Sequence, residues 1–562
     1  MAQAQRKQQS FEYGALILIC STALVKAIGA IFKIPLSNLI GDLGFGYFSS
    51  AYDLFTPIYT LAMAGLPIAI SRVVAEHMAN KRYNDVKGAL SVTRKLFLVS
   101  GFVGFALMLL LIYPFVNLTD ATGKTVYSLF AIAPALLSCC IMSTYRGYYE
   151  GLRNMYPTAV SDVTEALGKL ILGYSFAYIV MKTTGDVALA AAGAMLGITV
   201  GSAAAAAYLR LRYKIKGDAI TEEELLNAPE RMPSRAQAKA IILIAIPVVL
   251  ASLANSVASL VDVSMVKWQL TNLMKENADI IREMYSSSIA DYNRNIVTEA
   301  LSDAQIPTFL YGIRGKAFTI YNLIPTITSV LGVSALPVIA SAWSLKDKTM
   351  IKRNVESTIK LTAIISLPAG MGFLFVGDRI MQLMYSTVAS EQIGGTMMRI
   401  YGIAAIFAGL AIPMTSMLQG IGKQVASLRN VAIGAGLKVI VNFIAVGIPT
   451  VNIKGAAIGT AVCYIYIFIA HLCTIIRATG IKPNIYKTII KPFFAALGCG
   501  LAAFGASKLL SGRLGTIAAI FAAAVVYLGA LVVINTFEDE DVLALPKGEK
   551  LLKIFKKLKI IR

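Results

Sequence analysis

The chain has 562 residues, of which 57% are hydrophobic and only 15% are charged, and its formal net charge is +21. Its mean hydropathy of +0.68 is far above that of a water-soluble domain of this length. These values exclude a soluble globular enzyme and predict an all-α protein that crosses a membrane many times.

The apolar segments predict about 14 transmembrane helices, each long enough to cross roughly 30 Å of hydrocarbon. The first six lie near 13–40, 47–76, 90–116, 126–149, 157–181 and 186–209. The next six lie near 238–266, 315–343, 357–376, 395–418, 428–449 and 454–476, and the last two near 490–510 and 514–536.

Lysine and arginine are concentrated in alternate short loops. These loops lie within 81–95, 146–153, 210–216, 346–353, 423–429 and 482–487. Because such loops stay on the cytoplasmic side, we expect both termini to be cytoplasmic. The inner-face bias accounts for the positive charge, so no nucleic-acid partner is predicted. The first apolar segment is too long for a cleavable signal sequence.

The sequence shows no pattern for catalysis or for a bound metal. The six cysteines fall inside predicted helices, and His77 and His471 lie far apart without metal-ligand spacing. The GIGKQ segment at Gly420 lacks the residues of a phosphate-binding loop, so ATP hydrolysis is not predicted. We therefore predict no catalytic residue, no metal and no cofactor. The energy source is then an Na⁺ or H⁺ gradient, the membrane potential or the substrate gradient.

An internal repeat divides the chain into two lobes. LPIAIS at Leu66–Ser71 is repeated as LPVIAS at Leu336–Ser341, and Lys169 aligns with Lys438. These matches pair the second predicted helix with the eighth and the fifth with the eleventh, so the repeating unit is six helices. An even number of helices predicts a pseudo-two-fold axis along the membrane normal. A duplicated membrane protein with a repeated intramembrane lysine is typical of a transporter.

The repeat sets the predicted domain boundaries. They are an N-lobe at 1–230, a C-lobe at 231–480 with an extracellular insertion at 268–312, two added helices at 481–536, and a tail at 537–562. The tail, KGEKLLKIFKKLKIIR at its end, is basic and amphipathic, which predicts a cytoplasmic helix on anionic inner-leaflet lipid. A frayed solubilising tail is the alternative.

Ionisable side chains inside predicted helices are the candidate site residues, since each costs about 2.5–3.5 kcal/mol in hydrocarbon. Lys26 and Lys33 are two turns apart on one face of the first helix. Two cations on one face favour an anionic ligand between the lobes. The alternative is that both side chains reach a membrane interface.

The fifth predicted helix carries a further charged group. Glu165 and Lys169 are four residues apart and can pair within a turn. The alternative to a role in substrate binding is an ion pair that only stabilises the helix in lipid. Lys438, the repeat partner of Lys169, has no acid within a turn, which favours a role in a cavity. Asp262 is the acid of the seventh helix placed to bind a coupling cation or proton.

Three more candidates lie near predicted helix ends. Arg314 and Lys316 begin the eighth helix, and Asp53 lies near the outer end of the second. Each is a candidate for substrate binding. The alternative for all three is a solvated charge at a helix end.

Three segments resemble a known family. They are IFKIPLSNLIGDLGFGYFSSAYDLF (Ile31–Phe55), AGLPIAISRVVAE (Ala64–Glu76) and YRGYYEGLRNMYPTAVSDVTE (Tyr145–Glu165). These resemble the polysaccharide-biosynthesis flippases of the MOP superfamily, in particular its branch of MurJ-type lipid II flippases and stage V sporulation protein B proteins. The resemblance covers the chain from about Phe11 to Asn535. Two added C-terminal helices typify the lipid II members.

The resemblance implies a flippase that moves an undecaprenyl-diphosphate-linked cell-wall precursor from the inner to the outer leaflet by alternating access of two lobes. Lipid II is the expected substrate, and roles in peptidoglycan synthesis, cell shape or sporulation follow. The family cavity carries cations that match Lys26, lie near Lys33 and fall near the Arg314–Lys316 cluster, and Asp53 is an approximate match to a family acid. The expected protein is a monomer in the plasma membrane.

Three alternatives remain at this stage. A cation-coupled multidrug exporter of the related MATE branch needs acidic residues in the first-lobe cavity, where the first helix offers Lys26 and Lys33. A flippase for another lipid-linked polysaccharide fits the same residues. A scaffold for wall-synthesis enzymes predicts that Lys26→Ala and Lys33→Ala retain function.

Overall fold

The computed structural model describes residues 11–63, 65–295, 300–509 and 512–534. Within these ranges all regular structure is helical, and the predicted all-α membrane fold is confirmed. The basic tail at 537–562, with its predicted contact to anionic lipid, lies outside the described residues.

The chain forms two compact units. Unit 1 comprises Met1–Thr271 and Ser302–Gly312, and unit 2 comprises Asn272–Leu301 and Ile313–Arg562. The helices that lie wholly or mostly in unit 1 are α1 (Phe11–Met63), α2 (Leu66–Ala79), α3 (Tyr83–Thr119), α4 (Thr125–Ile132), α5 (Ala135–Gly151), α6 (Tyr156–Gly168), a π-helical segment (Lys169–Gly173), α7 (Tyr174–Thr184), α8 (Val187–Lys216), α9 (Glu222–Leu226) and α10 (Ser234–Glu276).

The remaining helices belong to unit 2, apart from the first residues of α13. They are α11 (Ala278–Met284), α12 (Ser286–Asn295), α13 (Ile306–Tyr321), α14 (Leu323–Ser344), α15 (Lys348–Met384), a π-helical segment (Ser390–Gly394), α16 (Gly395–Gly420), α17 (Gln424–Val446), a 3-10 turn (Asn452–Lys454), α18 (Gly455–Thr479), a π-helical segment (Tyr486–Ile490), α19 (Lys491–Leu509) and α20 (Gly512–Val533).

Twelve helical segments of the described chain are long and apolar enough to cross a membrane. The first of them, Cys20–Ala79, contains the first two predicted helices, which the structure joins across a bend. Helix α10 contains the predicted segment 238–266 and extends ten residues beyond it, to Glu276, and it is not one of these twelve. With α10 added and the first segment counted as two helices, the described chain agrees with the predicted number of about 14.

Two glycines make the bends in the first long segment. Gly41 has φ 69° and ψ −173°, a conformation that side-chain-bearing residues rarely adopt, and it turns the chain within α1. Gly65 has φ 77° and precedes α2. A Cβ atom at Gly65 would lie 2.6 Å from the carbonyl oxygen of Ala245, so glycine also allows α10 to approach closely.

The first part of α10 packs within unit 1. Its Ile241 and Ala245 belong to the apolar core of that unit, and Gln237 Nε2 donates to Asp85 Oδ1 at 2.8 Å. Asp85, which is fully buried, also accepts from the Met232 backbone at 2.7 Å. The contact division therefore places residues up to Thr271 in unit 1, whereas the sequence assigned 231–480 to the C-lobe. The six-helix repeat itself stays a prediction.

A stripe of glycines on α8 brings that helix against the π-helical segment 169–173. A Cβ atom at Gly197 would overlap the backbone of Gly173, and one at Gly201 would lie 3.0 Å from the backbone nitrogen of Lys169. Small residues at such crossings let helix backbones meet at van der Waals distance. The crossing fixes the position of Lys169 and of Glu165 one turn before it.

Unit 2 has its own core, built mainly from apolar residues of α14 to α16 and α18 to α20. The predicted insertion folds against this unit. Tyr285 Oη donates to Asn452 Oδ1 at 2.5 Å, and Ser287 Oγ lies 2.9 Å from Gln392 Oε1. The insertion is helical in α11 and α12, and α13 begins at Ile306, before the predicted end of the insertion.

Candidate functional site

Unit 1 contains a cavity of about 300 Å³ that is lined by several charged side chains, and we call it the charged cavity. Residues of α1, α5, α6 and the start of the π-helical segment line it. Its lining residues are Thr22, Val25, Lys26, Gly29, Tyr59, Arg146, Asp162, Glu165, Ala166 and Lys169. Three of the predicted site residues, Lys26, Glu165 and Lys169, therefore meet at one place.

Arg146 of α5 organises the acidic side of the charged cavity. Its Nη2 atom lies 2.8 Å from Asp162 Oδ1 and 3.1 Å from Glu165 Oε2, and its Nε donates to Ser161 Oγ at 2.8 Å. These side chains are 14% to 22% exposed, so the ion pairs are poorly screened by water. Glu165 thus pairs with Arg146, in place of the predicted pair with Lys169.

The Tyr52 ring links two of the predicted lysines. The Lys33 ammonium lies 5.0 Å from the centre of the ring, and the Lys169 ammonium lies 5.8 Å from it. An aromatic face attracts a cation within about 6 Å without carrying a formal charge. Lys33 is therefore joined to the wall of the charged cavity through Tyr52, although it does not line the cavity itself.

The charge balance of the cavity is positive. Its lining residues include the three cations Lys26, Arg146 and Lys169 and the two carboxylates Asp162 and Glu165. Both carboxylates are paired with the same guanidinium. The three cations outnumber the two carboxylates, so the lining carries a net positive charge that suits an anion.

Asp53 lies in a different cluster of unit 1. Its Oδ2 atom accepts from Tyr311 Oη at 2.6 Å. The Tyr311 ring is also near Lys267, whose ammonium lies 5.6 Å from the centre of the ring. The Lys267 side chain is fully buried and donates to Ser50 Oγ at 2.8 Å. Lys267 was not predicted as a site residue because it follows the predicted helix 238–266.

Asp120, just after α3, stabilises the same region. Its carboxylate accepts from the backbone nitrogen and the hydroxyl of both Thr122 and Thr125. Burial alone would raise the pKa of Asp120. The nearby charge of Lys267 and these four hydrogen bonds outweigh burial and hold the pKa below its ordinary value.

Three predicted residues belong to unit 2. Arg314 is buried with its guanidinium 5.5 Å from the centre of the Phe318 ring. Lys316 is fully buried, 3.4 Å from Ser390 Oγ, and its ammonium lies 5.1 Å from the centre of the Tyr385 ring. Lys438 is half-buried on α17. Arg314 and Lys316 are thus buried groups of α13, where the alternative had been solvated helix ends.

Asp262, predicted to bind a coupling ion, is 5% exposed on α10 and belongs to unit 1. The described part of the chain contains no group of three or more His, Cys, Asp or Glu side chains placed to hold a metal ion. The role of Asp262 stays a prediction.

Comparison with known proteins decides the family. A family model described as polysaccharide biosynthesis protein matches residues 13–343. The chain belongs to that family. The MatE family model also matches residues 314–444. The resemblance read from the three sequence segments is confirmed.

Two relatives and one solved structure of similar fold cover most of the length of this chain. It is 26% identical to Stage V sporulation protein B of Bacillus subtilis strain 168, over 96% of this chain and 98% of that protein. It is 22% identical to Lipid II flippase MurJ of the same organism, over 85% and 84% of the two chains. The solved structure of Lipid II flippase MurJ in an inward closed conformation covers 92% of this chain and 98% of its own, with a TM-score of 0.61 at 12% identity.

Sequence reasoning missed Arg146 and Lys267. Arg146 lies near the end of α5, where a loop rich in Lys and Arg was predicted to begin. A signal for it was present, since Asp162 and Glu165 in the next helix are buried acids that need a cation. Lys267 gave no comparable signal, because its partner Ser50 lies far away in the sequence.

Proposed function

We propose that this protein is a flippase for an undecaprenyl-diphosphate-linked cell-wall precursor, with lipid II as the substrate. The single observation that carries the proposal is the charged cavity, in which Lys26 and Lys169 face one space while Arg146 holds both carboxylates. Its family and its relatives, among them a lipid II flippase, support the same substrate class.

The chemistry of the cavity suits a diphosphate. A diphosphate has several negative oxygens, and ammonium groups bind such oxygens through charge-assisted hydrogen bonds. Lys33 and Lys169, both held near the Tyr52 ring, supply positive charge without a carboxylate that the ligand has to displace. The polyprenyl chain can meanwhile stay in the surrounding lipid, where it needs no polar contact.

The pairing of the cavity carboxylates argues for a flippase and against a cation-coupled drug exporter. A cation-coupled exporter needs a carboxylate that binds and releases its cation. Asp162 and Glu165 are instead 2.8 and 3.1 Å from one guanidinium, which satisfies both. The match of the MatE model to residues 314–444 reflects the shared superfamily.

The proposal includes a direction and a location. In the plasma membrane, with both termini cytoplasmic, an inward-negative potential favours export of an anion or return of the empty cationic site. Each elementary charge that crosses couples to the potential by about 2.3 kcal/mol per 100 mV. A monomer that exchanges inward-open and outward-open states is sufficient for this cycle.

Complementation of a bacterial strain that lacks its lipid II flippase tests the proposal. The wild-type chain should restore growth and the amount of lipid II exposed at the outer leaflet. Lys26→Gln and Lys169→Gln should each reduce that amount by at least about tenfold, because each removes one charge-assisted contact of roughly 1.5–3 kcal/mol.

Lys182→Gln is the matched control. Lys182 also lies over a tyrosine ring, 5.4 Å from the centre of Tyr178, but it is exposed and does not line the charged cavity. This variant should flip lipid II like the wild type. Normal lipid II exposure with both cavity lysines replaced would contradict the proposal and favour a scaffold. Failure of the well-expressed wild type would indicate another lipid-linked polymer.

A further inference from the structure

A buried polar cluster in unit 2 surrounds a histidine. His471 of α18 is fully buried, and its Nε2 atom lies 3.0 Å from Thr415 Oγ1 on α16 and 3.4 Å from Ser427 Oγ on α17. Its Nδ1 atom lies 3.2 Å from Asn430 Nδ2, also on α17. The ring therefore contacts two other helices through neutral side chains.

The hydrogen bonds fix the protonation of the ring. The hydroxyl of Thr474 donates to the Ala470 carbonyl, so its oxygen accepts from Asn430 Nδ2 at 3.1 Å. This places the amide NH₂ group of Asn430 toward Nδ1 of His471. Because an amide nitrogen only donates, Nδ1 must accept, and the single ring proton lies on Nε2. The cluster is thus built around a neutral imidazole.

A second proton on the ring can bind only to Nδ1, where it disrupts the hydrogen bond from Asn430. On Nδ1 the proton would face the NH₂ group of Asn430, so two donors would meet. Reversal of the Asn430 amide relieves this conflict by turning Oδ1 toward the ring. The Thr474 hydroxyl must then turn away from the Ala470 carbonyl to donate to Oδ1. Protonation of His471 is therefore tied to a defined change between α17 and α18.

The repeat supplies an independent observation. An offset of 269 residues, which aligns Lys169 with Lys438, also aligns Arg146 with Thr415 and Ser161 with Asn430. In unit 1 this position holds a permanent cation, since Arg146 donates to Ser161 and pairs with two acids. In unit 2 the aligned residue is the neutral Thr415. The side chain beside it that can gain or lose a charge is His471, which comes from α18 and aligns with Ser202 of α8.

The surroundings of His471 offer no counter-ion in the described residues. The side chains within hydrogen-bond distance of the ring are Thr415 of α16 and Ser427 and Asn430 of α17, all of them neutral. The repeat equivalents of the two cavity acids are Val431 and Gly434. A proton on the ring therefore adds an unbalanced charge to a buried site, which favours another packing of α16 to α18.

We propose that His471 is a proton-binding site of unit 2, at which protonation of Nδ1 reverses the Asn430 amide and couples proton binding to the packing of α17 against α18. The inference rests on the proposed function as far as coupling is concerned, since it names the ion that drives transport. The binding of the proton is testable without transport.

Histidine NMR tests the site directly. The chain has two histidines, so His77→Gln leaves one ring, and nitrogen-15 spectra of this variant in lipid nanodiscs report His471 alone. At neutral pH the spectrum should show a ring protonated on Nε2 only. On titration to acidic pH both nitrogens should become protonated, reversibly and in the folded protein. A ring that stays neutral until the protein unfolds overturns the proposal.

Asn430→Asp and transport complete the test. A carboxylate at position 430 accepts from Nδ1–H, so it should raise the midpoint of the titration by at least one pH unit, and an unchanged midpoint contradicts the amide switch. In proteoliposomes an imposed pH gradient should stimulate lipid II flipping by the wild type but not by His471→Gln. Equal stimulation of both, or flipping without any gradient effect, overturns the coupling role. Complete absence of flipping refutes the proposed substrate, while the NMR result still decides the proton site.

Discussion

Arg146 and Asp162 form an ion pair of 2.8 Å inside the charged cavity, and the same guanidinium lies 3.1 Å from Glu165. Arg146→Gln removes the ion-pair partner of two largely buried carboxylates. We expect a loss of about 3–5 kcal/mol in the free energy of unfolding, measured as a lower thermal midpoint of the purified protein.

The combined variant Arg146→Gln, Asp162→Asn, Glu165→Gln distinguishes the effect of the unpaired carboxylates from the effect of losing the guanidinium's packing. It removes the unpaired carboxylates, so most of the thermal stability should return. A combined variant as unstable as Arg146→Gln alone would show that the shape of the guanidinium, and not the two charges, stabilises α5 against α6.

Lys267 gives a contrasting case, because its removal leaves no hydrogen-bonding group without a partner. Ser50 still donates to the Gly46 carbonyl at 2.7 Å, and Asp120 keeps its four hydrogen bonds. Lys267→Met keeps the side-chain volume and removes the attraction between Lys267 and Asp120, so it should lose about 1–2 kcal/mol. Lys267→Ala should lose about 2–5 kcal/mol, since it also opens a void. Equal losses in the two variants would indicate that the charge itself is required.

The crossing of α8 with the π-helical segment should be sensitive to one methyl group. In Gly197→Ala the new Cβ atom would overlap the Gly173 backbone and move Lys169 away from the charged cavity. We expect a loss of about 1–3 kcal/mol in stability and a clear reduction in lipid II exposure. Gly436→Ala on α17 is the control, because its Cβ atom meets nothing within 4 Å. Similar results for both variants would refute the crossing as a determinant of the site.

The lowered pKa of Asp120 should make the stability of the folded protein depend on pH. Its pKa is held below the ordinary value of 3.8, so the unfolded chain binds a proton more readily than the folded protein does. The contribution is therefore fully present well above pH 3.8 and is lost as the pH falls through the lowered pKa. In Asp120→Asn the thermal midpoint should be lower than in the wild type at neutral pH, and the gap should shrink below about pH 4.

Asp279→Asn provides the comparison for this titration. Asp279 has a 97% exposed side chain, so its replacement should leave the gap to the wild type near zero at every pH. A gap for Asp120→Asn that stays constant with pH would mean that its hydrogen bonds act without the charge.

The sequence was sufficient for the membrane fold and for half of the charged cavity. Glu165 and Lys169 are four residues apart, and the helical period alone places them on one face. Lys26 followed from the cost of a cation in the middle of an apolar segment. Each of these inferences needs only one helix, and the structure brings the three side chains to one space.

The rest of the site depends on contacts between helices. Arg146, the partner of Glu165, was hidden because hydropathy placed the arginine at a helix end, among loop cations. The Tyr52 ring between Lys33 and Lys169 depends on how α1 packs against the π-helical segment. That packing depends on the glycines of α8, which let the backbone of α8 approach the backbone of the π-helical segment closely. The hydrophobic periodicity of the sequence does not reveal such an approach.

Tyr52 also bears on how fast a ligand is bound and released. Two ammonium groups that rest on one aromatic ring are attracted to it by roughly 0.5–2 kcal/mol each, far less than a carboxylate partner would supply. An incoming anion therefore finds cations that reorient at little cost, and a departing anion leaves behind groups that return to the ring. A translocation site must release what it binds, and an aromatic resting place keeps the residence time of a multiply charged headgroup short.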